Sequence, residues 1–136
     1  MIEPIDIPVV ALCVWKEARG EGEAGMTAVA SVIFNRARDW SKSLHDIVYA
    51  KNQFTSMSVP SDPEFNLKPK DGDSQYNFSV NVAHGLFAGT VTDSTHGSHY
   101  YANLKNVTSG WFVEHIEKDT VNHPQRSKIG HQTFYL

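Results

Sequence analysis

The nine residues Trp15-Lys16-Glu17-Ala18-Arg19-Gly20-Glu21-Gly22-Glu23 crowd three carboxyls and two cations together. They follow an apolar run, Val9-Val10-Ala11-Leu12-Cys13-Val14, long enough to be a buried helix. Glu17 then falls in the last turn of that helix, where two effects raise a carboxyl pKa. Apolar neighbours desolvate the anion, and the partial negative charge of a helix C-terminus repels it. A carboxylic acid kept protonated near neutral pH is what glycosidic cleavage needs to protonate its leaving oxygen. The same local pattern also fits a surface carboxylate paired with Lys16 or Arg19, and the residues alone leave both readings open.

The elements that must position this stretch are legible around it. Asp6 is a candidate N-cap and Pro8 suits the first turn, while Gly20 is the expected left-handed stop. A second helix is expected from about 23 to 37, with Met26, Val29, Ala30, Ile33, Phe34 and Ala37 forming one core-facing stripe. Small residues Gly25, Ala28 and Ser31 would let it approach the first helix closely. Asn35 and Arg36 read either as helix-end polar groups or as supports for a site. Ser43-Leu44-His45-Asp46 reads as a capping box opening a short helix. Lys51-Asn52-Gln53-Phe54-Thr55 reads as a polar turn with one buried phenylalanine.

Residues 55–73, with Pro60, Pro63 and Pro69, read as a loop of a length that is usually functional or mobile. Ser74 is a candidate cap for a helix running to about Ala88, which Gly89 ends. Phe78, Val82 and Leu86 should face inward from it. The final third lacks helical periodicity and reads as turn and extended chain. The expected class is therefore a single domain over 1–136, α+β and mainly helical, with a small β region in the C-terminal third.

Composition bounds the function. The chain has 136 residues, 40% of them apolar and 20% charged, as in ordinary globular domains. A net charge of −3 gives no reason to expect a nucleic-acid partner. The single cysteine, Cys13, excludes an internal disulfide and reads as a small core residue. No stretch approaches a transmembrane span, so no stable membrane association is expected. The acidic start, Met1 to Asp6, lacks the basic region of a signal peptide, which places synthesis in a cytoplasm. Asn106-Val107-Thr108 matches a glycosylation sequon that has no meaning without secretion.

Glu17-Ala18-Arg19-Gly20-Glu21, followed by Gly25-Met26-Thr27-Ala28-Val29-Ala30-Ser31-Val32-Ile33-Phe34-Asn35-Arg36, resembles the opening signature of the SleB/CwlJ-type cell-wall hydrolases. Three further anchors add to the resemblance. Gln53-Phe54 looks like the family's groove-lining element. Asp93-Ser94-Thr95-His96-Gly97-Ser98, leading to His99-Tyr100-Tyr101-Ala102-Asn103, resembles its D-P-T-x-G-A stretch, with Ser94 replacing proline and Ser98 replacing alanine. Ile129-Gly130-His131-Gln132-Thr133-Phe134-Tyr135 is close to its I-G-x-H-x-F-Y ending, with His131 one place early and Gln132 in the usual histidine position.

The resemblance implies a lysozyme-like fold and cleavage of the MurNAc-GlcNAc β-1,4 bond of peptidoglycan. Glu17 is its implied catalytic acid/base, with no metal and no cofactor. It also implies lytic transglycosylase chemistry, in which one glutamate acts as acid and then as base. Glu21, Gln53, Phe54, His99, Tyr100 and Tyr101 are the implied supporting or substrate-binding residues. A small monomeric wall enzyme of this type looks like a phage endolysin, made in the host cytoplasm and reaching the wall through a pore.

Other readings use the same residues differently. A true muramidase needs a second carboxylate, for which Glu21 and Glu23 are the candidates. A zinc amidase or peptidase would draw on His96 and His99 with His84, His115, His123 or His131, although the helical H-E-x-x-H spacing is absent. A non-catalytic glycan-binding module would use Gln53, Phe54, Tyr100, Tyr101 and Trp111 and leave Glu17 idle.

Overall fold

The apolar run at 9–14 forms the inner turns of α1 (Ile7–Ala18) in the computed structural model, which describes residues 2–107 and 109–136. Pro8 sits in its first turn, where a missing N–H leaves no bond unmade. Asp6 stands at the start of α1 but does not cap it. Its backbone is already helical, at φ −87 and ψ −5, after a 3-10 turn over Pro4–Asp6, and its carboxylate takes no capping bond. A cap needs extended backbone to swing its oxygen over the first free N–H groups.

The far end of α1 also departs from expectation. Gly20 is not left-handed. The chain tightens into a 3-10 turn, Arg19–Glu21, and the positive φ of 75° falls on Gly22, the first residue of α2 (Gly22–Asp39). Its ψ of 179° completes a conformation essentially reserved for glycine.

α2 is buried on nearly every side rather than along one stripe, from Gly25 through Ala37 with only Thr27 part-exposed. Met26, Val29, Ala30, Ile33, Phe34 and Ala37 join Val10, Cys13, Val14 and Ala18 of α1 in the main core. Two of the small residues have other neighbours. Ala28 packs with Val32 and Phe134 in a second cluster, and Gly25 makes room for Glu21, whose Cβ would lie 2.5 Å from an added Cβ. Ser43 Oγ accepts from the Asp46 amide at 3.0 Å to open α3 (Leu44–Val48), as its spacing foretold.

A further short helix, α4 (Thr55–Ser58), interrupts the continuous loop expected over 55–73. α5 (Ser74–Ala88) is capped one residue earlier than expected, by Asp73, whose carboxylate accepts from the Tyr76 amide at 2.9 Å. Gly89 ends it in the left-handed conformation, φ 80°. α1, α2 and α5 all pack against one another, and Val82 and Ala83 of α5 complete the main core.

Strands β1 (Tyr100–Ala102), β2 (Gln125–Ile129) and β3 (Gln132–Tyr135) form an antiparallel sheet in the order β1-β3-β2. Tyr101 lies opposite Phe134, which plugs the sheet onto Ala28 and Val32 of α2. Between β1 and β2 a helical turn, α6 (Gly110–Phe112), widens into a π-turn over Val113–Glu117, where no helical periodicity is visible in the sequence. The architecture is thus mainly helical α+β with a small C-terminal sheet. Thr108 of the glycosylation sequon and Met1 of the acidic start lie outside the described residues. No helix among the described residues is long and apolar enough to cross a membrane.

Candidate active site

Glu17 is the penultimate residue of α1, and neither neighbouring cation neutralises it. Lys16 is buried and donates from Nζ to the carbonyls of Phe65 (2.7 Å) and Ser56 (3.2 Å). Arg19 bonds Glu64 Oε1 at 2.5 Å, with its guanidinium 4.1 Å from the Trp15 ring centroid. The surface ion pair that remained open in the sequence is therefore not formed.

The one hydrogen bond to the Glu17 carboxyl among the described residues comes from Ser56 Oγ, 2.6 Å from Oε2. Glu17 is exposed as a residue, yet enough protein surrounds its carboxyl that desolvation raises its pKa. The Ser56 bond opposes that rise, and the negative charges of Asp62 and Glu64 reinforce it. The result is a carboxyl that holds its proton more firmly than an ordinary glutamate and still meets solvent.

Beside it runs a groove of about 610 Å³, lined by Arg36, Gln53, Phe54, Tyr100, Tyr101 and Trp111 among others. Glu17 is not itself in that lining. The connection runs through Phe54, two residues before Ser56, and through Tyr101. The Tyr101 phenol is pushed far above its usual range, first by burial and next by the charge of Glu17. The volume suits a small segment of a ligand chain. Its aromatic faces and amide edges match what sugar rings offer for stacking and hydrogen bonding.

Arg36 organises this wall. Its Nε donates to the His99 carbonyl (2.6 Å) and its Nη1 to Gln53 Oε1 (3.0 Å). Its guanidinium lies 5.3 Å from the Tyr100 ring centroid and 5.8 Å from that of Phe54. Asn35, the residue before it, holds the turn at 93–98. Its Nδ2 donates to Asp93 Oδ2 (2.8 Å) and to the Ser98 carbonyl (3.1 Å), and Asp93 accepts from Thr95 and Gly97. Both residues are supports, because each leaves α2 to brace a segment that has no core of its own.

The other candidates fall in different places. His99 lends its carbonyl to Arg36, while its ring pairs with Asp39 at 2.7 Å. Glu21 turns to the sheet, accepting from Gln132 Nε2 at 3.1 Å, and Glu23 is exposed. His131 is exposed beside Gly130, which turns β2 into β3, and Gln132 makes the contact that ties Glu21 down. The histidines do not converge. Among the described residues no three His, Cys, Asp or Glu side chains gather as a metal would require.

Ser56, Asp62, Glu64 and Lys16 were not foreseen as parts of the site. All but Lys16 come from the 55–73 segment, which has no periodicity and no partner nearby in sequence. Its length was the one signal. Asp62, bonded by Thr55 Oγ1 (2.6 Å) and the Glu64 amide (2.8 Å), is held below the usual carboxylate range by the Thr55 bond first.

A family model described as cell wall hydrolase matches residues 20–135. The chain is 30% identical over 131 residues to a spore cortex-lytic enzyme of Halalkalibacterium halodurans, a match covering 95% of this chain and 34% of that protein. A spore cortex-lytic enzyme of Oceanobacillus iheyensis is 28% identical over 131 residues, covering 95% of this chain and 41% of that protein. The chain therefore spans well under half the length of the curated relatives it matches. Among solved structures, the catalytic domain of the germination-specific lytic transglycosylase SleB from Bacillus anthracis superposes with a TM-score of 0.72 at 28% identity, covering 98% of this chain and 96% of that one. The catalytic domain of Bacillus cereus SleB gives 0.70 at 27% identity, covering 100% and 93%.

Proposed function

The chain belongs to the cell wall hydrolase family, and we propose that it cleaves the MurNAc-GlcNAc bond of peptidoglycan as a lytic transglycosylase, with Glu17 as its single acid and base. Glu17 protonates the glycosidic oxygen as the bond to C1 breaks. It then takes the proton of the muramyl C6 hydroxyl as that oxygen closes on C1, so the proton returns to its starting place. The observation that carries this reading is a carboxyl with a raised pKa and no ion pair among the described residues, set beside a groove of sugar-binding character. The SleB catalytic domain of the same fold, named as a lytic transglycosylase, supports it. The endolysin setting, with release through a pore, belongs to this proposal as its outer part, and the relatives named above are spore enzymes.

A second reading, hydrolysis with a partner carboxylate, is favoured by Asp62 and Glu64, whose charges act on Glu17. Glu21 and Glu23 are poorer partners, since one is tied to Gln132 and the other exposed. Clearing of purified walls tests the assignment of the acid. Glu17→Gln should lower the rate by about 10²–10⁴ while Glu23→Gln stays near the parent. Normal clearing by a folded Glu17→Gln chain overturns it.

A further inference from the structure

The groove has an electrostatic character opposite to that of the molecule. The chain carries a net charge of −3, yet the groove lining holds two cations, Arg36 and Lys51, and no carboxylate. Lys51 is exposed and solvated. Arg36 is 5% exposed, so its charge has been taken out of water. Such a charge normally has a carboxylate partner, because uncompensated burial costs several kcal/mol. Among the described residues Arg36 has none. Its bonds go to two neutral oxygens, of His99 and Gln53, and its aromatic neighbours Tyr100, Phe54 and Trp40 offer ring faces.

One donor nitrogen is left over. Nη2 makes no hydrogen bond among the described residues, and it is not among the buried polar atoms sealed without a partner. It is therefore not wholly sealed from solvent, on a residue that lines the groove. A guanidinium with a donor nitrogen to spare can bond a carboxylate oxygen.

Resting on the reading of this groove as a glycan site, we propose that Arg36 is a specificity-determining residue that binds a carboxylate carried on the muramyl 3-O-lactyl arm of the strand. The neutral sugars of a glycan strand offer no anion. The muramyl residue does, either as the lactyl carboxylate itself or as a carboxylate of a peptide amide-linked to it. Lys51 at the rim adds attraction without fixed geometry. Arg36 is thus the part of the groove that tells a muramyl strand from a neutral polymer of N-acetylglucosamine.

The test measures binding to the Glu17→Gln chain, which holds its ligand uncut, by calorimetry with four probes. These are a short GlcNAc-MurNAc oligosaccharide with free lactyl carboxylates, its lactyl methylamide, a peptide-bearing form with free carboxylates, and the same form with every peptide carboxylate amidated. At least one free acid should bind about tenfold or more tightly than its amide, and whichever pair discriminates identifies the source of the carboxylate. Adding Arg36→Gln should weaken the free acids more than the amides, so that the acid-to-amide ratio falls towards one, whereas Arg36→Lys should restore part of that ratio.

If Arg36→Gln does not fold, the four probes on the Glu17→Gln chain decide alone. Equal affinity for acid and amide in both pairs overturns the proposal while leaving the glycan reading standing. Failure of every muramyl probe to bind, together with failure of the unmutated chain to cut walls, overturns the glycan reading beneath it as well.

Discussion

Glu17→Gln should make the protein more stable at neutral pH and change little in acid. The native fold holds the Glu17 carboxyl above its ordinary value of 4.5, chiefly by desolvation. The unfolded chain imposes no such rise, so between the two pKa values the native state binds the proton more tightly. Relative stability from this group is therefore fully present below about pH 4, and is lost as pH rises through the native pKa. A neutral amide of the same shape escapes that loss and still offers Ser56 an acceptor oxygen.

A fully buried unpaired charge would cost several kcal/mol. Glu17 is exposed as a residue, and solvent screening reduces the effect to about 1 kcal/mol. For a chain of this size that corresponds to a melting temperature about 3 °C higher at pH 7.5. Asp39 and Asp93, both held below the ordinary carboxylate range and not among the charges acting on Glu17, make both chains lose stability in acid and cancel in the difference. Paired thermal melts of the two chains from pH 3.5 to 8 read that difference directly. A gap that is constant across this range, or that widens in acid, refutes the account of Glu17 as a strained acid.

Two other perturbations probe the same framework. Ser56→Ala removes the donor that favours the Glu17 anion, so the alkaline limb of the pH–kcat/KM profile should move to higher pH, whereas Asp62→Asn should move it lower; shifts in the reverse sense contradict the electrostatic assignment. Asn35→Ala strips the amide that braces the Asp93–Ser98 turn and should cost about 2–3 kcal/mol in urea unfolding. A loss within experimental scatter would mean the turn holds itself.

Much of the site's frame is local in the sequence. Glu17 at the end of a hydrophobic helix follows from the apolar run and the glycine-rich turn after it, both local features. The Ser43 box and the Gly89 stop are local too, and the structure forms both. Asp6 and Gly20 misled because the helix ends are drawn into 3-10 turns by their neighbours, which one-residue preferences do not register. The pattern of α2 shows one stripe only, because the sheet that covers its other face is assembled from residues a hundred positions away. The supports of the site were hidden for the same reason. Ser56 reaches Glu17 across 39 residues, Gln132 reaches Glu21 across 111, and Asn35 reaches Ser98 across 63. No periodicity marks such pairs, and only their residue types and the length of the 55–73 segment hint at them.

The central claim is that Glu17 works without a partner carboxylate, so that the tethered C6 hydroxyl outcompetes water at C1 through its large effective concentration. The products record which nucleophile won. Purified peptidoglycan is digested with the protein, treated with borohydride, and its fragments are weighed. The account predicts 1,6-anhydro-N-acetylmuramic acid ends, one water lighter than the reducing sugar and untouched by the reductant. Reduced muramic ends would contradict it, and would assign water delivery to Asp62 or Glu64.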